Sequence, residues 1–362
     1  MQLTDKAVFF AGVMTKSGYQ SHLDETYKAG ADWRAYLIKG GAGMGKSSLM
    51  KGVAAELESL GLSCEYIMCP SDPDSLDAVI FPDIKACICD ATAPHIINPK
   101  YPEACEVILN VADQCDREKL TLLKEEIVRL TDLNSATYQR VYRYIGAVSA
   151  LLSDSYRLAY DCCDATKASV FGAQMASRLM RDKHCTGEET VRFLSAITPK
   201  GLVHYIDTLG NICERVIAVE DEYGAVSRLI LSSVRMMALE RGYDIITCMS
   251  LFAPDDKIEH IIVPELKLAF TTRNRWLKAE VTDRIIHARR FCNVSLLHQK
   301  RQRLSFNRRA AAELVTAAVD TLTQAKSIHD ELEKIYVDCM DFDALNRRKE
   351  QVITELKKRI IQ

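Results

Sequence analysis

The sequence lacks the features that mark several special classes of protein. No uncharged run approaches the roughly 18–20 residues that a membrane-spanning helix needs. Only 9 proline and 16 glycine residues occur among 362, which argues against a disordered or collagen-like chain. With 47 Lys and Arg against 49 Asp and Glu, the net charge of -2 neither requires nor excludes a polyanionic partner. The hydrophobic share of 48% indicates a globular protein, and this length predicts about two domains.

The amino-terminal segment and the cysteines give no sign of secretion. Residues 1–6 contain no basic leader, and no small-residue cleavage site follows the apolar stretch 7–14. The 13 cysteines are odd in number and include no CxxC pair. Neither Cys87-x-Cys89 nor Cys162-Cys163 has the spacing of a zinc site. We therefore expect a cytoplasmic protein with reduced, mostly buried thiols and no membrane association.

One motif makes a specific chemical prediction. The segment Gly40-Gly-Ala-Gly-Met-Gly45-Lys46-Ser47 matches the phosphate-binding pattern GxxxxGK[ST], follows a strand candidate at 35–38 and opens a helix candidate at 46–60. Glycines let successive N–H groups approach a phosphate, Lys46 supplies a positive charge, and the Ser47 hydroxyl can ligate Mg²⁺. No NKxD motif is present, so the expected base is adenine. The residues predicted to bind ATP are Gly40, Gly41, Ala42, Gly43, Met44, Gly45, Lys46, Ser47 and Ser48.

A second part of such a site is an acidic residue at the end of an apolar strand. Ala86-Cys-Ile-Cys-Asp90 fits this description, so we expect Asp90 to hold Mg²⁺ together with Ser47. A strand candidate at 64–69 and a turn-rich link at 70–82 separate Asp90 from the glycine motif, as a compact βαβ unit would require. Ala91 follows Asp90 where many ATP hydrolases have a glutamate, which lowers the expectation of fast hydrolysis.

Further polar residues follow the second and third strand candidates. Asp72 and Asp74 lie where ligands bind in open α/β sheets, so they could polarise a water or an acceptor hydroxyl as catalytic residues. The segment 71–75 also has the composition of a loop and a helix cap, and both interpretations stay open. His95 could contact a phosphate or have a structural role.

The chain contains an internal repeat. At an offset of 181 residues, Arg34 aligns with Arg215 and Gly61 with Gly242. The segment Phe81-Pro-Asp-Ile-Lys85 likewise resembles Val263-Pro-Glu-Leu-Lys267. These agreements predict two copies of one α/β unit.

The two copies differ at the phosphate-binding motif. Opposite residues 40–47 the second copy has Asp221-Glu-Tyr-Gly-Ala-Val-Ser-Arg228, and Thr272 stands opposite Asp90. Asp221 and Glu222 would repel an anion, and Val226 would hinder close backbone approach. We therefore expect the second copy to be a structural or regulatory partner that does not bind nucleotide in the usual way.

Helical sequence follows each copy. Apolar residues recur at helical spacing over 120–151 and 314–339, and another helix is predicted from about 342 to 361. We expect helical hairpins that pack on each other or form a dimer arm. The predicted fold is a duplicated, P-loop NTPase-like, three-layer α/β fold with long helical segments after each repeat. The predicted domains are a nucleotide-binding unit at 1–115, a helical segment at 116–185, a degenerate repeat at 186–275, and a basic segment with a helical hairpin at 276–362.

The segment 273–309 has the strongest charge bias, with eleven Lys and Arg against Glu280 and Asp283. Clustered cations can bind nucleic acid. Aromatic residues for base stacking are sparse there, so an acidic partner surface or intramolecular pairing is favoured over nucleic acid.

These motifs resemble a family of uncharacterised bacterial ATP-binding proteins with tandem P-loop repeats. The resemblance covers nearly the whole chain and rests on the segments 9–12, 39–51, 71–77 and 90–95. Members keep an intact loop in both halves, whereas this chain has lost the second. The resemblance implies the fold and nucleotide binding but no particular reaction.

Three functions fit these features. The first is a slow Mg²⁺-dependent ATPase whose degenerate half and helical arms couple the nucleotide state to an unknown protein partner. The second is a small-molecule or nucleotide kinase, in which Asp72 or Asp74 orients an acceptor hydroxyl. The third is a nucleotide-gated scaffold without turnover.

Overall fold

A computed structural model of the chain describes Leu3 and residues 5–360. The leader prediction for residues 1–6 and the helix end predicted at 361 therefore lie partly outside the described residues. The described residues form a mixed α/β protein with two six-stranded sheets. No helix among them is both long and apolar enough to cross a membrane.

The chain passes through the same succession of elements twice. The first half contains, in order, β1 (Ala7–Phe9), β2 (Gly12–Thr15), β3 (Gly18–Ser21), β4 (Arg34–Lys39), α1 (Lys46–Ser59), β5 (Glu65–Met68), β6 (Leu76–Phe81), β7 (Ala86–Asp90), β8 (Glu106–Asn110), α2 (Arg117–Leu122), α3 (Lys124–Tyr160) and α4 (Ala165–Leu179). The second half contains β9 (Glu189–Arg192), β10 (Ser195–Thr198), β11 (Gly201–His204), α5 (Thr208–Ile212), β12 (Arg215–Glu220), α6 (Ala225–Glu240), β13 (Ile245–Ser250), β14 (Ala253–Val263), β15 (Leu268–Arg273), β16 (Arg284–His287), α7 (Val294–Gln299), α8 (Arg301–Val337) and α9 (Phe342–Ile360).

The two sheets have the same strand order. In the first sheet the order is β1-β5-β6-β7-β4-β8, and in the second it is β9-β13-β14-β15-β12-β16. In each sheet one strand, β4 or β12, has two parallel neighbours, while β6 or β14 is antiparallel to both of its neighbours. Glycines at equivalent turns, Gly61 and Gly242, both have positive φ, at 86° and 81°. This is the arrangement expected from the repeat in the sequence.

One strand was absent from the sequence prediction. The expected turn-rich link at 70–82 contains β6, which lies between β5 and β7 and pairs with both. All six residues of β6 are buried. The short apolar run is bounded by prolines, so local sequence favoured a loop, and the strand is stabilised by hydrogen bonds to two other strands.

The layers differ from the predicted three-layer arrangement. Along β4 alternate residues face opposite sides: Tyr36 lies in a hydrophobic cluster with α1, whereas Leu37 lies in a cluster that includes Val216 and Ala269 of the second sheet. Each sheet thus packs helices on one face and turns its other face towards the other half. The layers run helix, sheet, sheet, helix, so the prediction of helices on both faces of a sheet was wrong.

The long helices α3 and α8 form an antiparallel pair between the halves. Arg140 of α3 donates a hydrogen bond to Gln324 of α8 at 2.7 Å, and Arg303 of α8 binds Asp154 of α3 at 2.5 Å. Buried residues of both helices form one cluster with Met14 of β2. The predicted packing of the two helical segments on each other is confirmed.

The helices after this pair are exchanged between the halves. Instead of folding back on α3, α4 packs on α6 of the second half, where Gly172 lies against the Ile230 carbonyl. Correspondingly, α9 packs on α1 of the first half, with Lys357 binding Glu56 at 2.6 Å. The predicted hairpins within each repeat were therefore wrong, because α3 and α8 are long enough to carry the next helix to the other half.

The basic segment 273–309 belongs to the second half. It contains β16, α7 and the start of α8, and β16 pairs with β12, so the predicted boundary at 275 falls inside the second sheet. Three of its cations bind acidic side chains from outside the segment: Arg275 binds Glu222, Lys300 binds Asp161 and Arg303 binds Asp154. Intramolecular pairing thus accounts for part of the charge bias.

Candidate functional site

A glycine-rich turn joins β4, the strand next to the β8 edge of the first sheet, to α1. This glycine loop (residues 40–48) begins where β4 ends at Lys39 and runs into the first turn of α1. Gly43 and Gly45 have φ of 69° and 77°, a left-handed conformation that other residues adopt only with strain. The turn brings the free N–H groups of the α1 start to the carboxyl edge of the sheet, which is the arrangement that binds anions.

The structure brings Lys46 and Asp90 together. The Lys46 ammonium donates hydrogen bonds to the carbonyls of Gly40 and Gly41, at 2.8 and 2.6 Å, and lies 3.4 Å from Asp90 Oδ2. Asp90 ends β7, and in the sheet it is paired with Ile38 of β4. Burial raises the pKa of the Asp90 carboxyl, although Lys46 acts in the opposite direction. The two charges face each other beside the glycine loop.

Other contacts position the oxygen ligands expected to hold a metal ion. Ser47 Oγ accepts a hydrogen bond from the Leu76 N–H at 3.0 Å, and Asp90 Oδ1 accepts one from the Thr92 N–H at 2.9 Å. Thr92 in turn accepts a hydrogen bond from the Gly40 N–H. Among the described residues no group of three or more His, Cys, Asp and Glu side chains could hold a metal by itself. Ser47 and Asp90 supply the hard oxygen ligands that Mg²⁺ prefers.

Asp72 and Asp74 contact lysines of the second half. Asp74 binds Lys200, in the turn between β10 and β11, at 2.5 Å, and its side chain is 74% exposed. Asp72 lies 3.5 Å from Lys326 of α8 and accepts hydrogen bonds from the Asp74 N–H and the Ser75 hydroxyl. Both carboxylates therefore have a visible structural function in joining the halves.

Asp77 and His95 form an acid–base pair beside the glycine loop, a pairing that the sequence, which left His95 as a phosphate contact or a structural residue, did not predict. The Asp77 Oδ2–His95 Nε2 distance is 3.3 Å, an ion-pair distance without hydrogen-bond geometry, and both side chains are 6% exposed. Asp77 is the extra residue of a β-bulge in β6, since Ile67 pairs with Ala78 and the next residue pairs with Leu76. The sequence signal that could have pointed to this pair is an aspartate inside the otherwise apolar run of β6.

The electrostatics of this pair favour a charged histidine. Burial by itself would lower the pKa of His95, but attraction to Asp77 outweighs it and the pKa is raised, with Asp90 contributing further. His95 Nδ1 and the Tyr19 hydroxyl, on a ring 5.0 Å from the histidine, are buried without a hydrogen-bond partner among the described residues. Buried polar atoms without partners are uncommon, and they are typical of functional sites.

The end of α8 and the start of α9 cover the glycine loop. A Cβ atom at Gly43 would lie 2.6 Å from the Glu333 carbonyl oxygen, and one at Gly45 would lie 2.5 Å from Leu345. The Tyr336 ring lies against Gly41. Elements of the second half thus contact the loop directly.

In the second half a side-chain carboxylate occupies the helix end where a bound anion would lie. Asp221 is 5% exposed, and its Oδ2 accepts hydrogen bonds from the N–H groups of Val226 and Ser227, both at 2.8 Å. These N–H groups belong to the first turn of α6, which is equivalent to α1. The side chain therefore fills the anion-binding end of the helix, as the sequence led us to expect of Asp221.

Two details of the expected degenerate site are corrected. Glu222 binds Arg275 instead of joining Asp221 at the helix end. The residue equivalent to Gly45 is Gly224, since both precede their helix with left-handed φ, at 77° and 74°. The loop before α6 is shorter than the loop before α1. A constant offset between the two halves therefore wrongly placed Val226 opposite Gly45. The site is closed by Asp221 and not by a bulky residue in the loop.

Comparison with known proteins gives no relative. No protein-family model, no curated protein and no solved structure matches the chain.

The contact between Gly43 and α8 predicts a difference between two glycine substitutions. Gly43→Ala and Gly61→Ala both place alanine at positive φ, but only the former meets the backbone of Glu333. We expect Gly61→Ala to lower the free energy of unfolding by about 1 kcal/mol and Gly43→Ala by about 2–4 kcal/mol. Urea denaturation of both variants measures this. Equal losses would contradict close packing of α8 on the loop.

The raised pKa of His95 predicts pH-dependent stability. Because the pKa lies above its ordinary value of 6.5 in the folded state, the ion pair with Asp77 stabilises the fold fully below that value. This contribution is lost as the pH rises through the raised pKa. His95→Gln should therefore lower the free energy of unfolding more at about pH 5.5 than at about pH 9. His184→Gln, whose side chain is 88% exposed, is the control. An equal loss at both pH values for His95→Gln would contradict the ion pair.

Proposed function

We propose that the first half binds ATP and Mg²⁺ at the glycine loop, as a P-loop, and hydrolyses ATP slowly. The observation that carries this proposal is the position of Lys46, at the start of α1, on two loop carbonyls and 3.4 Å from Asp90. A GxxxxGK[ST] pattern by itself is weak support for a phosphate site. Its location between a helix and a strand with two parallel neighbours, beside an acidic strand end, is much stronger support.

Each residue of the site has a role in this proposal. The Gly43 N–H hydrogen-bonds to the Glu333 carboxylate, so the N–H groups of residues 44–48 are the ones left to bind phosphate oxygens. The Lys46 ammonium exchanges its loop carbonyls for the β- and γ-phosphates. Ser47 and Asp90 would supply the oxygen ligands for Mg²⁺. The metal would neutralise part of the negative charge of the phosphates. The Tyr336 ring of α8 packs on Gly41 at the start of the loop.

Many ATP hydrolases have a glutamate directly after the metal-binding aspartate, and this glutamate activates the attacking water. We assign that role to Asp77. Ala91 occupies that position here and is buried. Asp77 is the nearest unassigned carboxylate to the Lys46–Asp90 pair in the sheet, since its neighbour Ala78 pairs with Cys89. Its carboxylate accepts a proton from a water, and His95, 3.3 Å away, holds the carboxylate in place. Asp72 and Asp74 are less suited, because lysines bind both.

The role of Asp77 predicts a selective loss of turnover. Asp77→Asn should lower kcat for ADP formation by about 10²-fold, because the amide cannot accept the proton. The affinity for MgATP, measured by calorimetry, should change less than about threefold, since Asp77 is not a phosphate ligand in this proposal. Asp132→Asn, on the exposed face of α3, is the matched control. Full turnover by Asp77→Asn would contradict the assignment.

A phosphotransferase is the second candidate, and Ala91 is the observation that favours it. A kinase needs no hydrolytic glutamate, and Asp77 could equally accept the proton of an acceptor hydroxyl. ADP formation without any added acceptor would support hydrolysis. ADP formation only with an added small-molecule or nucleotide acceptor would support the kinase, and tight MgATP binding without ADP would support a nucleotide-gated scaffold.

The exchanged helices suggest how the nucleotide state could be transmitted. Contacts of α8 with Gly43 and Asp72, and of α9 with Gly45, connect the first site to the second half. A protein partner in the cytoplasm is proposed to respond to α3 and α8, the longest elements. Nucleic acid is not favoured, because intramolecular ion pairs hold part of the basic segment.

A further inference from the structure

A cavity of about 690 Å³ lies in the second half, at the place where the first half has its glycine-loop site. Tyr223, after β12, and Asn274, after β15, line it, so it lies at the carboxyl ends of parallel strands. The helices α3 and α8 and the turn between β2 and β3 complete its wall. Ligands of open α/β sheets bind at such strand ends, and this volume is in the range of small-molecule sites.

The cavity cannot bind a phosphate in the way proposed for the first half. The first N–H groups of α6 are taken by the Asp221 carboxylate. Lys257 of β14 packs against Gly224 and binds Glu259 at 2.9 Å. The charged groups at the inner end of the cavity therefore already have partners within the protein.

The mouth of the cavity has a surplus of positive charge. Three of the four lining carboxylates are paired with cations: Glu222 binds Arg275, Asp256 binds Arg228 and Glu259 binds Lys257. The fourth, Asp255, accepts a hydrogen bond from the neutral amide of Gln20 and keeps its charge. Three exposed cations of the lining have no carboxylate within ion-pair distance among the described residues, namely Lys16, Arg157 and Arg308. They come from three different elements, the β2–β3 turn, α3 and α8, and they surround one opening.

The wall between the mouth and the inner end is apolar. Leu304, Ala311 and Val315 of α8 line one side, and Phe252 and Leu277 line the other. The Trp276 side chain is 38% exposed at the opening. Below it the Arg228 guanidinium lies 4.1 Å from the centre of the Tyr156 ring, which is a stacking distance. An occupant must therefore combine an apolar body with a negative group.

We propose that this cavity binds an organic anion with an apolar or aromatic body, separate from the nucleotide. Its carboxylate or sulfonate lies between Arg157 and Arg308, and its body packs against α8 and Trp276. Arginines suit such a group because their planar N–H donors can bind two oxygens. The proposal does not depend on ATP binding by the first half. A ligand here would contact both halves, since α3 and the β2–β3 turn belong to the first.

The test uses 8-anilinonaphthalene-1-sulfonate, an aromatic sulfonate, titrated into the full chain by calorimetry and fluorescence. Saturable binding of one probe per chain is expected. The double variant Arg157→Gln/Arg308→Gln should weaken binding by at least about tenfold. Arg178→Gln, an exposed arginine on α4 outside the cavity, is the matched control and should leave binding unchanged. Ser153→Trp, at an exposed lining position of α3, should abolish binding by filling the mouth.

Further measurements distinguish probe binding in this cavity from probe binding at the glycine loop or elsewhere. Lys46→Ala should bind the probe like the wild type, and saturating MgATP should not displace it. Each variant is also compared in thermal unfolding, so that a loss of binding is interpreted only at an unchanged Tm. Absence of saturable binding, an equal effect of Arg178→Gln, an unchanged affinity in the double variant, or displacement by MgATP would overturn the proposal.

Discussion

Lys46→Ala is expected to lower ADP formation from saturating MgATP by about 10²- to 10³-fold, the effect of removing a preorganised charge from a phosphoryl-transfer site. Lys46 is the cation nearest to the loop carbonyls, and its side chain is only 12% exposed. The affinity for MgATP should fall as well, because the ammonium would bind the phosphates in the ground state. The measurement is steady-state ADP production together with a calorimetric titration.

The matched control for this variant is Lys51→Ala. Lys51 lies in the same helix, and its ammonium donates to the Asp74 carbonyl instead of the glycine loop. We expect this variant to retain activity within about threefold of the wild type, as exposed substitutions usually do. Equal activity of Lys46→Ala and the wild type would contradict a phosphate-binding role for the loop. An equal loss in both variants would show that the effect is not specific to the site.

Asp221→Ala is expected to lower the free energy of unfolding of the second half by about 2–4 kcal/mol. The substitution leaves the N–H groups of Val226 and Ser227 without their acceptor in a buried position. It also removes a negative charge from the positive end of the α6 dipole. Urea denaturation followed by circular dichroism measures the loss.

Glu222→Ala is the control for Asp221→Ala. Glu222 is the next residue, but it is exposed and binds Arg275 at the surface. Surface ion pairs contribute little, so we expect a loss below about 1 kcal/mol. The same loss in both variants would contradict the account in which Asp221 alone closes the degenerate site. Binding of MgATP to the first half should be unaffected by either substitution.

Local patterns were sufficient to predict the centre of the first site. The glycine spacing predicted the turn before α1, and the apolar run that ends in an acid predicted β7 and Asp90. Both signals are properties of a few consecutive residues, namely backbone conformation at glycine and burial of a strand. The residues that depend on one local element were therefore found where the sequence placed them.

Features that depend on distant parts of the chain were not predictable. The strand β6 is short and flanked by prolines, and hydrogen bonds to β5 and β7 stabilise it. The bulge that turns Asp77 towards His95 depends on the register of three strands. The exchange of α4 and α9 depends on helix length and on complementary faces in the other half. None of these causes is visible in a window of ten to twenty residues.

The repeat explains how one half could act on the other. The turn before the equivalent helix carries a lysine ammonium on the loop carbonyls in the first half and a carboxylate on the helix N–H groups in the second. The helices that cover each position come from the opposite half. A ligand at either position therefore contacts, or lies next to, an element that reaches the other, which is the physical connection that coupling between the halves requires.

The number of MgATP molecules bound per chain tests the central claim most directly. Equilibrium titration of the full chain with MgATP should give one bound nucleotide for the wild type and for Asp221→Ala, and none for Lys46→Ala at the same concentrations. This result would locate nucleotide binding in the first half alone. Two nucleotides per chain, or undiminished binding by Lys46→Ala, would contradict the account.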